Sequence, residues 1–532
     1  MQKDSIPLAN RLEEVYGTDP SYLGEQHARY TALHSRFVDL YGCQPEFIVR
    51  SPGRVNLIGE HIDYMGYGVL PMAIKQDTVI AVARGGDKLR LNNMASAHAE
   101  QDFSLDPAQE VDRDNHSWGN YVVCAYKGVH EHLARAGQPA PPLFGLQLLV
   151  EGRVPQGSGL SSSAALVCAA SLAVLAVHGI AVSKHVHAGL SSSSALVCAG
   201  TLAVLAAACL RPPKAEVAQF AAECEKYVGT QSGGMDQAIS IMGQAGVAKL
   251  ISFNPVRAED VRLPDGAMFV IANSLTVSKK AVSADFQYNM RVTECRLAAV
   301  ALALACGVSP VEAGQRKLLA EVEEVVAAAA GGDAAAGVDK LLHDGGYFKA
   351  ELEELLGVPL EQLLNEHQLR CVALAEKSTG LWLQKRARHV FREAARVPQF
   401  RAICHAPDLG TEAKLASLGA LMDASQASCR DDFVCSSTNL DRLVAACKAA
   451  GALGSRLTGA GWGGCTVSLV READACSFVA AVTHAYYDDP EQCEAAAGER
   501  EAHGGSLDHV IFTSRPSSGG AILDIATLGL GA

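Results

Sequence analysis

Residues 50–71 read RSPGRVNLIGEHIDYMGYGVLP, and Arg54, Glu60, His61 and Asp63 crowd into this glycine-rich stretch bounded by prolines. Carboxylates accept hydrogen bonds from hydroxyls, and a guanidinium or imidazole donates to them, so this set can hold a polyol in fixed geometry. Taken alone, the same residues also describe an ordinary polar surface loop. Just upstream, Phe47 to Val49 begins a β-like segment, so the motif reads as a strand running into a Gly-rich loop.

A second motif lies further on. Residues 154–164, VPQGSGLSSSA, follow the strand-like LQLLV of 146–150 and precede an apolar helical run. Gly157 and Gly159 let the backbone approach an anion, and the unpaired N–H groups and dipole of the following helix favour phosphate. The hydroxyls of Ser161, Ser162 and Ser163 can donate to phosphate oxygens or ligate Mg²⁺. A Ser/Gly linker ending in a helix cap would look the same, and the segment is neither a Walker loop nor a GxGxxG fingerprint. Residues 159–176, GLSSSAALVCAASLAVLA, recur thirty positions later as GLSSSSALVCAGTLAVLA, identical at fifteen of eighteen positions. Two copies fall short of the roughly three that a solenoid needs, so this is a local tandem duplication.

Two further stretches stand out. In GTQSGGMDQ, 229–237, Asp236 follows two glycines and reads either as a general base or as a turn or helix-capping residue. In GSRLTGAGWGGC, 454–465, five glycines lead into the strand-like TVSLV and permit close backbone approach to a ligand or to another loop.

The rest of the chain narrows the function classes. Its 532 residues have the apolar share of a packed globular protein, 49%, and a net charge of −13, which gives no general attraction to nucleic acid or anionic lipid. No pair of the sixteen cysteines has Cys-x-x-Cys spacing, so buried reduced thiols are expected rather than a zinc knuckle or a disulfide scaffold. The longest apolar run, 164–177, is too short for a bilayer crossing, and residues 1–17 carry no continuous apolar region. A cytoplasmic location, with no membrane and no nucleic-acid partner, is the expectation. The Ala-rich stretch 321–338 reads as a helix end followed by an inert connection.

The four motifs, in this order, resemble the GHMP kinase superfamily, and GRVNLIGEH…DY…G…VLP looks like the galactokinase signature within it. The resemblance runs from about Glu46 to Ile522 and includes KRARHVFREAARV at 385–397, SCRDDFVCSSTNLDRLV at 428–444 and RPSSGGA at 515–521. Details such as HIDY, IANS and GSRLTGAGWGGC are most similar to the branch holding plant-type galactokinases and N-acetylgalactosamine kinases. The resemblance implies two α+β domains, 1–250 and 251–532, with mixed and antiparallel sheets and an active site between them.

It also implies an ATP-dependent kinase acting on the anomeric hydroxyl of galactose. Asp236 would take the proton and Arg54 would sit beside it. Glu60, His61, Asp63 and Gly234 would contact the sugar, and Gly157, Ser158, Gly159, Leu160, Ser161, Ser162 and Ser163 would hold ATP phosphates, with Ser162 and Ser163 at Mg²⁺. Trp118 matches an aromatic that packs on adenine in some members, or is a core Trp. Lys279 and Lys280 fall near the nucleotide in related kinases, or are surface lysines. Tyr288, where N-acetylgalactosamine kinases carry a Phe, leans toward galactose. A non-catalytic ATP- and galactose-binding sensor is the alternative from another class.

The duplication departs from the family pattern. Only the first copy has the upstream strand and the full Pro-x-Gly-x-Gly-Leu-Ser-Ser-Ser order, so it is expected to bind ATP, although only the second has the usual spacing to Gly229.

Overall fold

The computed structural model describes residues 7–111, 117–135, 143–155, 160, 166, 169, 234–253, 255–276, 287–502, 504–528 and 530. The strands in chain order begin with β1 (Leu8–Ala9), β2 (Phe47–Ile58), β3 (Leu70–Arg84), β4 (Leu89–Asn93), β5 (Gln101–Phe103) and β6 (Leu146–Gly152). A hairpin of β7 (Ala248–Ser252) and β8 (Arg257–Val261) follows, then β9 (Ala267–Asn273), β10 (Gly454–Leu457), β11 (Cys465–Arg471), β12 (Ile511–Ser514) and β13 (Ala521–Asp524). The helices that position the site are α1 (Pro20–Tyr41), α2 (Trp118–Arg135), α3 (Met235–Met242), α4 (Tyr288–Ala305), α5 (Leu383–His405), α6 (Thr411–Ser428) and α7 (Thr438–Ala449).

Seven strands form a mixed sheet in the order β1-β13-β2-β3-β6-β4-β5, and four form an antiparallel sheet in the order β10-β11-β9-β12. The first sheet is buried on both faces, and its side chains partition with the period of two that a strand imposes. Ile48, Val79, Ala81 and Leu149 face α1, whereas Val49, Ile80, Val82 and Leu148 face the main core. Helix α1 covers its side with Tyr30, Leu33 and Phe37, spaced three and four apart. Asp19 caps it by accepting from Ser21 N and Tyr22 N, and Gly42 ends it in the left-handed region.

The sugar-type motif is more regular than its composition suggests. Residues 50–58, expected as a loop, continue β2, paired to β3 as far as Ile58↔Leu70. Register shifts at Pro52/Arg54 and Asn56/Ile58 absorb the proline and glycine, which a central strand accommodates only at bulges. Residues 321–338 likewise form packed helices rather than an inert connection: Glu323–Ala329 and Ala334–Leu341 bury Val326 and Val338.

The expected boundary near 250 needs one amendment, because β13 from the far end of the chain is inserted between β1 and β2. A buried ionic cluster secures that return. Asp77 on β3 accepts from Arg29 Nη1 at 2.6 Å, Arg50 Nε at 2.5 Å and the Tyr16 hydroxyl at 2.8 Å. Burial pushes the Asp77 carboxyl up, but Arg29 and Arg50 outweigh it and hold it below the usual carboxylate range. Arg50 Nη1 also donates to the carbonyls of Ser518 and Gly519. The same 515–521 loop donates from Gly519 N to Gly243 O and from Gly520 N to Ser240 O, clasping the end of α3.

Removing one partner of such a cluster strands the others in low dielectric. Asp77→Ala is therefore expected to cost about 3–5 kcal/mol, read as a lowered urea midpoint. An unchanged midpoint would show that the cluster does not hold the C-terminal strand in place.

Candidate active site

Arg54 and Asp236 meet at the centre of the site. Arg54 lies beyond the first bulge of β2, and Asp236 in the first turn of α3, which Gly234 opens at φ 90°. Arg54 Nε donates to Asp236 Oδ1 at 2.5 Å, and the side chains are 2% and 13% exposed, so the pair is accessible from the carboxylate side. Burial pulls the guanidinium pKa down, but Asp236, with Glu60 and Asp63, more than offsets this and raises it, keeping Arg54 charged. Asp63 stands in the short 3₁₀ turn Asp63–Met65, half-buried, near enough for its charge to act on Arg54.

Leu160, from the serine-rich segment, lies beside this pair. Its carbonyl accepts from Arg54 N at 3.3 Å, and a Cβ on Gly53 would stand 2.9 Å from that oxygen, so only glycine admits the approach. Gly157, Ser158, Gly159, Ser161, Ser162 and Ser163, the second copy of the repeat, Lys279 and Lys280 lie outside the described residues.

Glu60 is gripped at four points. Its Oε1 accepts from Gly459 N at 2.6 Å and its Oε2 from Asn56 Nδ2 at 2.8 Å. Its own N–H, with that of Gly59, donates to Glu393 Oε1, and its carbonyl meets His389 Nε2 at 3.0 Å. Arg456 Nη2 lies 3.7 Å from Glu60 and 4.0 Å from Glu393. Burial pushes the Glu60 carboxyl up; Arg456, Arg54, Asn56 and Gly459 N oppose the shift without cancelling it. Glu393 is held the other way: burial raises it, but Arg456, His389 and Arg396 outweigh this and bring its pKa down to about 2.

His61, at φ 61°, sits in an aromatic nest. Its ring centroid is 4.6 Å from Phe433, 5.5 Å from Tyr288 and 5.9 Å from Trp462, and its nitrogens meet the Tyr64 hydroxyl and Ala460 O. Tyr288 opens α4. Phe433 is set by Arg291 Nε on its carbonyl at 2.8 Å, and Arg386 Nη1 holds the neighbouring Asp432 O at 2.6 Å. Both arginines also bond the buried Glu294. Val434 and Trp462 take φ of 56° and 55°, so three of the four non-glycine positive-φ residues among those described surround this nest.

The fold thus gathers Arg54, Glu60, His61, Asp63, Gly234, Asp236 and Tyr288 with the Gly459–Gly464 loop. Trp118 is placed differently: at the start of α2 its Nε1 donates to Ala99 O and its ring neighbours His98. Sequence reading missed Asn56, Glu393, His389, Arg456 and Phe433. The usable signal was His389 and Glu393 four apart within KRARHVFREAARV, which places both on one helix face.

Residues 120–186 and again 180–244 match the GHMP kinases N terminal domain, and 411–488 the GHMP kinases C terminal domain. Fold and site therefore define a kinase of the GHMP class. Residues 35–84 match the galactokinase galactose-binding signature. The galactokinase of Dictyostelium discoideum is 37% identical over 505 residues, covering 90% of this chain and 91% of its own length. That of Saccharomyces cerevisiae is 33% identical over 479 residues, covering 82% and 85%. The chain belongs to the galactokinase family. A crystal structure of Lactococcus lactis galactokinase complexed with galactose shares the fold, with a TM-score of 0.60 at 24% identity over 93% of this chain and 99% of that one. Among the described residues no helix is long and apolar enough to cross a membrane.

The depressed Glu393 pKa stabilises the folded state above the unfolded value near 4.5, and that contribution is lost as pH falls toward 2. Glu393→Gln is expected to lower stability at pH 7 by about 3 kcal/mol, with the gap to wild type closing below about pH 4.5. Urea titrations between pH 7 and 3 read the gap; one that ignores pH would show that charge is not the stabilising element.

Proposed function

We propose that this chain transfers the γ-phosphoryl group of ATP to the anomeric hydroxyl of galactose, with Asp236 as the base and Arg54 as its charge partner. The observation that carries the reading is the 2.5 Å Arg54–Asp236 pair, buried on the guanidinium side and accessible at the carboxylate. The hydroxyl proton passes to Asp236, the oxygen bonds the γ-phosphorus, and the bond to the β,γ-bridging oxygen breaks, giving galactose 1-phosphate and ADP. In phosphoryl transfer, alignment and charge neutralisation supply most of the acceleration, so a weak but well-placed base suffices.

Glu60, His61, Asp63, Gly234 and Tyr288 form the proposed sugar contacts, and Gly157–Ser163 the nucleotide loop. The Leu160 anchor on Gly53 and Arg54 supports the loop assignment by tying that segment to the reacting pair. Ser162 and Ser163 offer the hard oxygen donors that Mg²⁺ takes, and the bound ion would neutralise phosphate charge. Trp118, Lys279 and Lys280 remain proposed nucleotide neighbours only through the family pattern. The halves 1–250 and 251–532 are proposed as the two domains, with β13 returned to the first. A cytoplasmic setting suits the twelve cysteines among the described residues, all of them free thiols.

Tyr288 favours galactose over N-acetylgalactosamine through the family pattern, in which N-acetylgalactosamine kinases carry a Phe there, and its ring stands beside His61, another proposed sugar contact. The expected kcat/KM is at least about tenfold higher with galactose, and a preference for the N-acetylated sugar overturns the choice. Asp236→Asn is expected to lower turnover at least about a hundredfold, measured by ADP release, while galactose binding by calorimetry survives. Near-normal turnover removes Asp236 from the mechanism.

A further inference from the structure

We propose that His389 and Glu393 on α5 are positioning residues for galactose, acting through the Gly59–Glu60 peptide. The inference rests on the reading that Glu60 contacts the sugar. The two side chains are four residues apart on one helical face and reach the same short backbone segment from opposite polarities. Glu393 Oε1 accepts from Gly59 N at 2.9 Å and Glu60 N at 3.2 Å, and the Ser425 hydroxyl donates to it at 2.7 Å. His389 Nε2 must be the protonated nitrogen, because its partner, Glu60 O, can only accept. Burial pulls the pKa of His389 down and favours the neutral ring, so Nδ1 is an acceptor, satisfied by the Ser428 hydroxyl at 2.8 Å.

This tautomer assignment gives the arrangement its direction. A neutral imidazole has one donor and one acceptor, and here each has one partner. Phe433 packs on the His389 ring at 4.5 Å and on His61 at 4.6 Å, so the same aromatic ring braces the imidazole and a proposed sugar contact. With its backbone fixed by α5 and its two oxygens by Asn56 and Gly459, Glu60 meets a sugar already oriented, without an ordering cost at binding. A loose Glu60 would pay that cost in affinity for the sugar, leaving ATP untouched.

The test compares His389→Leu with His389→Gln, whose amide can donate to Glu60 O and accept from Ser428. In the full-length protein, His389→Leu is expected to raise the galactose KM about tenfold or more, with the ATP KM within about twofold of wild type. His389→Gln is expected to restore most of the loss. Equal effects of the two variants, an ATP KM that moves as far as the galactose KM, or an unchanged galactose KM would each overturn the proposal. If His389→Leu does not fold, Ser428→Ala serves instead, since it removes the Nδ1 partner that holds the ring in place; a severalfold rise in galactose KM alone supports the proposal and no change refutes it. Glu60→Gln is the control: if it leaves galactose affinity unchanged, the sugar-site reading fails, whereas an effect there with none at His389 and Ser428 fails only this inference.

Discussion

The site depends on one buried, ionised carboxylate. Glu393 comes from the middle of a long helix, yet it receives the peptide N–H groups of Gly59 and Glu60, which lie just past the end of β2. A carboxylate in that position would be costly on its own, and it is sustained because Arg456 and Arg396 are placed against it and Ser425 donates to it. Arg456 in turn stands between Glu393 and Glu60 and donates to Asn56 O. The result joins the N-terminal sheet to the second sheet and its helices through fully buried polar contacts. Such a network rigidifies strongly when satisfied and fails badly when broken.

The same logic repeats on the other side of the reacting pair. Asp77 collects Arg29, Arg50 and Tyr16, and Arg50 passes the constraint to the 515–521 loop, which grips the end of α3. Helix α3 carries Asp236 in its first turn. One buried acid therefore steadies the segment that carries Glu60, and another steadies the helix that bears Asp236, the proposed base. Residues distant in the chain and remote from the chemistry fix the geometry of Arg54 and Asp236, which phosphoryl transfer requires to be close and aligned.

Much of this was legible in the sequence, but unevenly. The density of Arg54, Glu60, His61 and Asp63 in one short stretch announced a polar recognition motif, and the strand-like run 146–150 located β6. The family pattern, not the spacing, singled out Asp236. What could not be read was the depth at which these groups sit. Residues 50–58 have the composition of a loop because glycine, proline and charge usually mark exposed turns. Here two bulges and several buried partners keep them in a central strand. Glu393 and His389 gave little signal, since an acid and a histidine on a charged helix are ordinarily solvated. Only the partner elements, brought together by tertiary packing, reveal their role. Trp118, at a family position, opens α2 with its Nε1 on Ala99 O, a contact that the sequence does not announce.

The duplicated serine-rich segment raises a question of chain geometry rather than chemistry. Leu160, which belongs to the first copy, is seated on Gly53 and bonded to Arg54, whereas Asp236 follows the second copy. If the first copy cradles the phosphates, the connection from it to α3 carries thirty additional residues. The entropic cost of a longer connection grows only logarithmically, by about 0.6 kcal/mol for each doubling, which is small beside the buried acid clusters that fix α3 and β2. The two overlapping matches to the N-terminal kinase domain, one ending and one beginning within the inserted stretch, divide the same way: Leu160 goes with the first and Asp236 with the second. Because α3 is clasped by the 515–521 loop, which lies outside the repeat, the insertion can lengthen the path to Asp236 without displacing it.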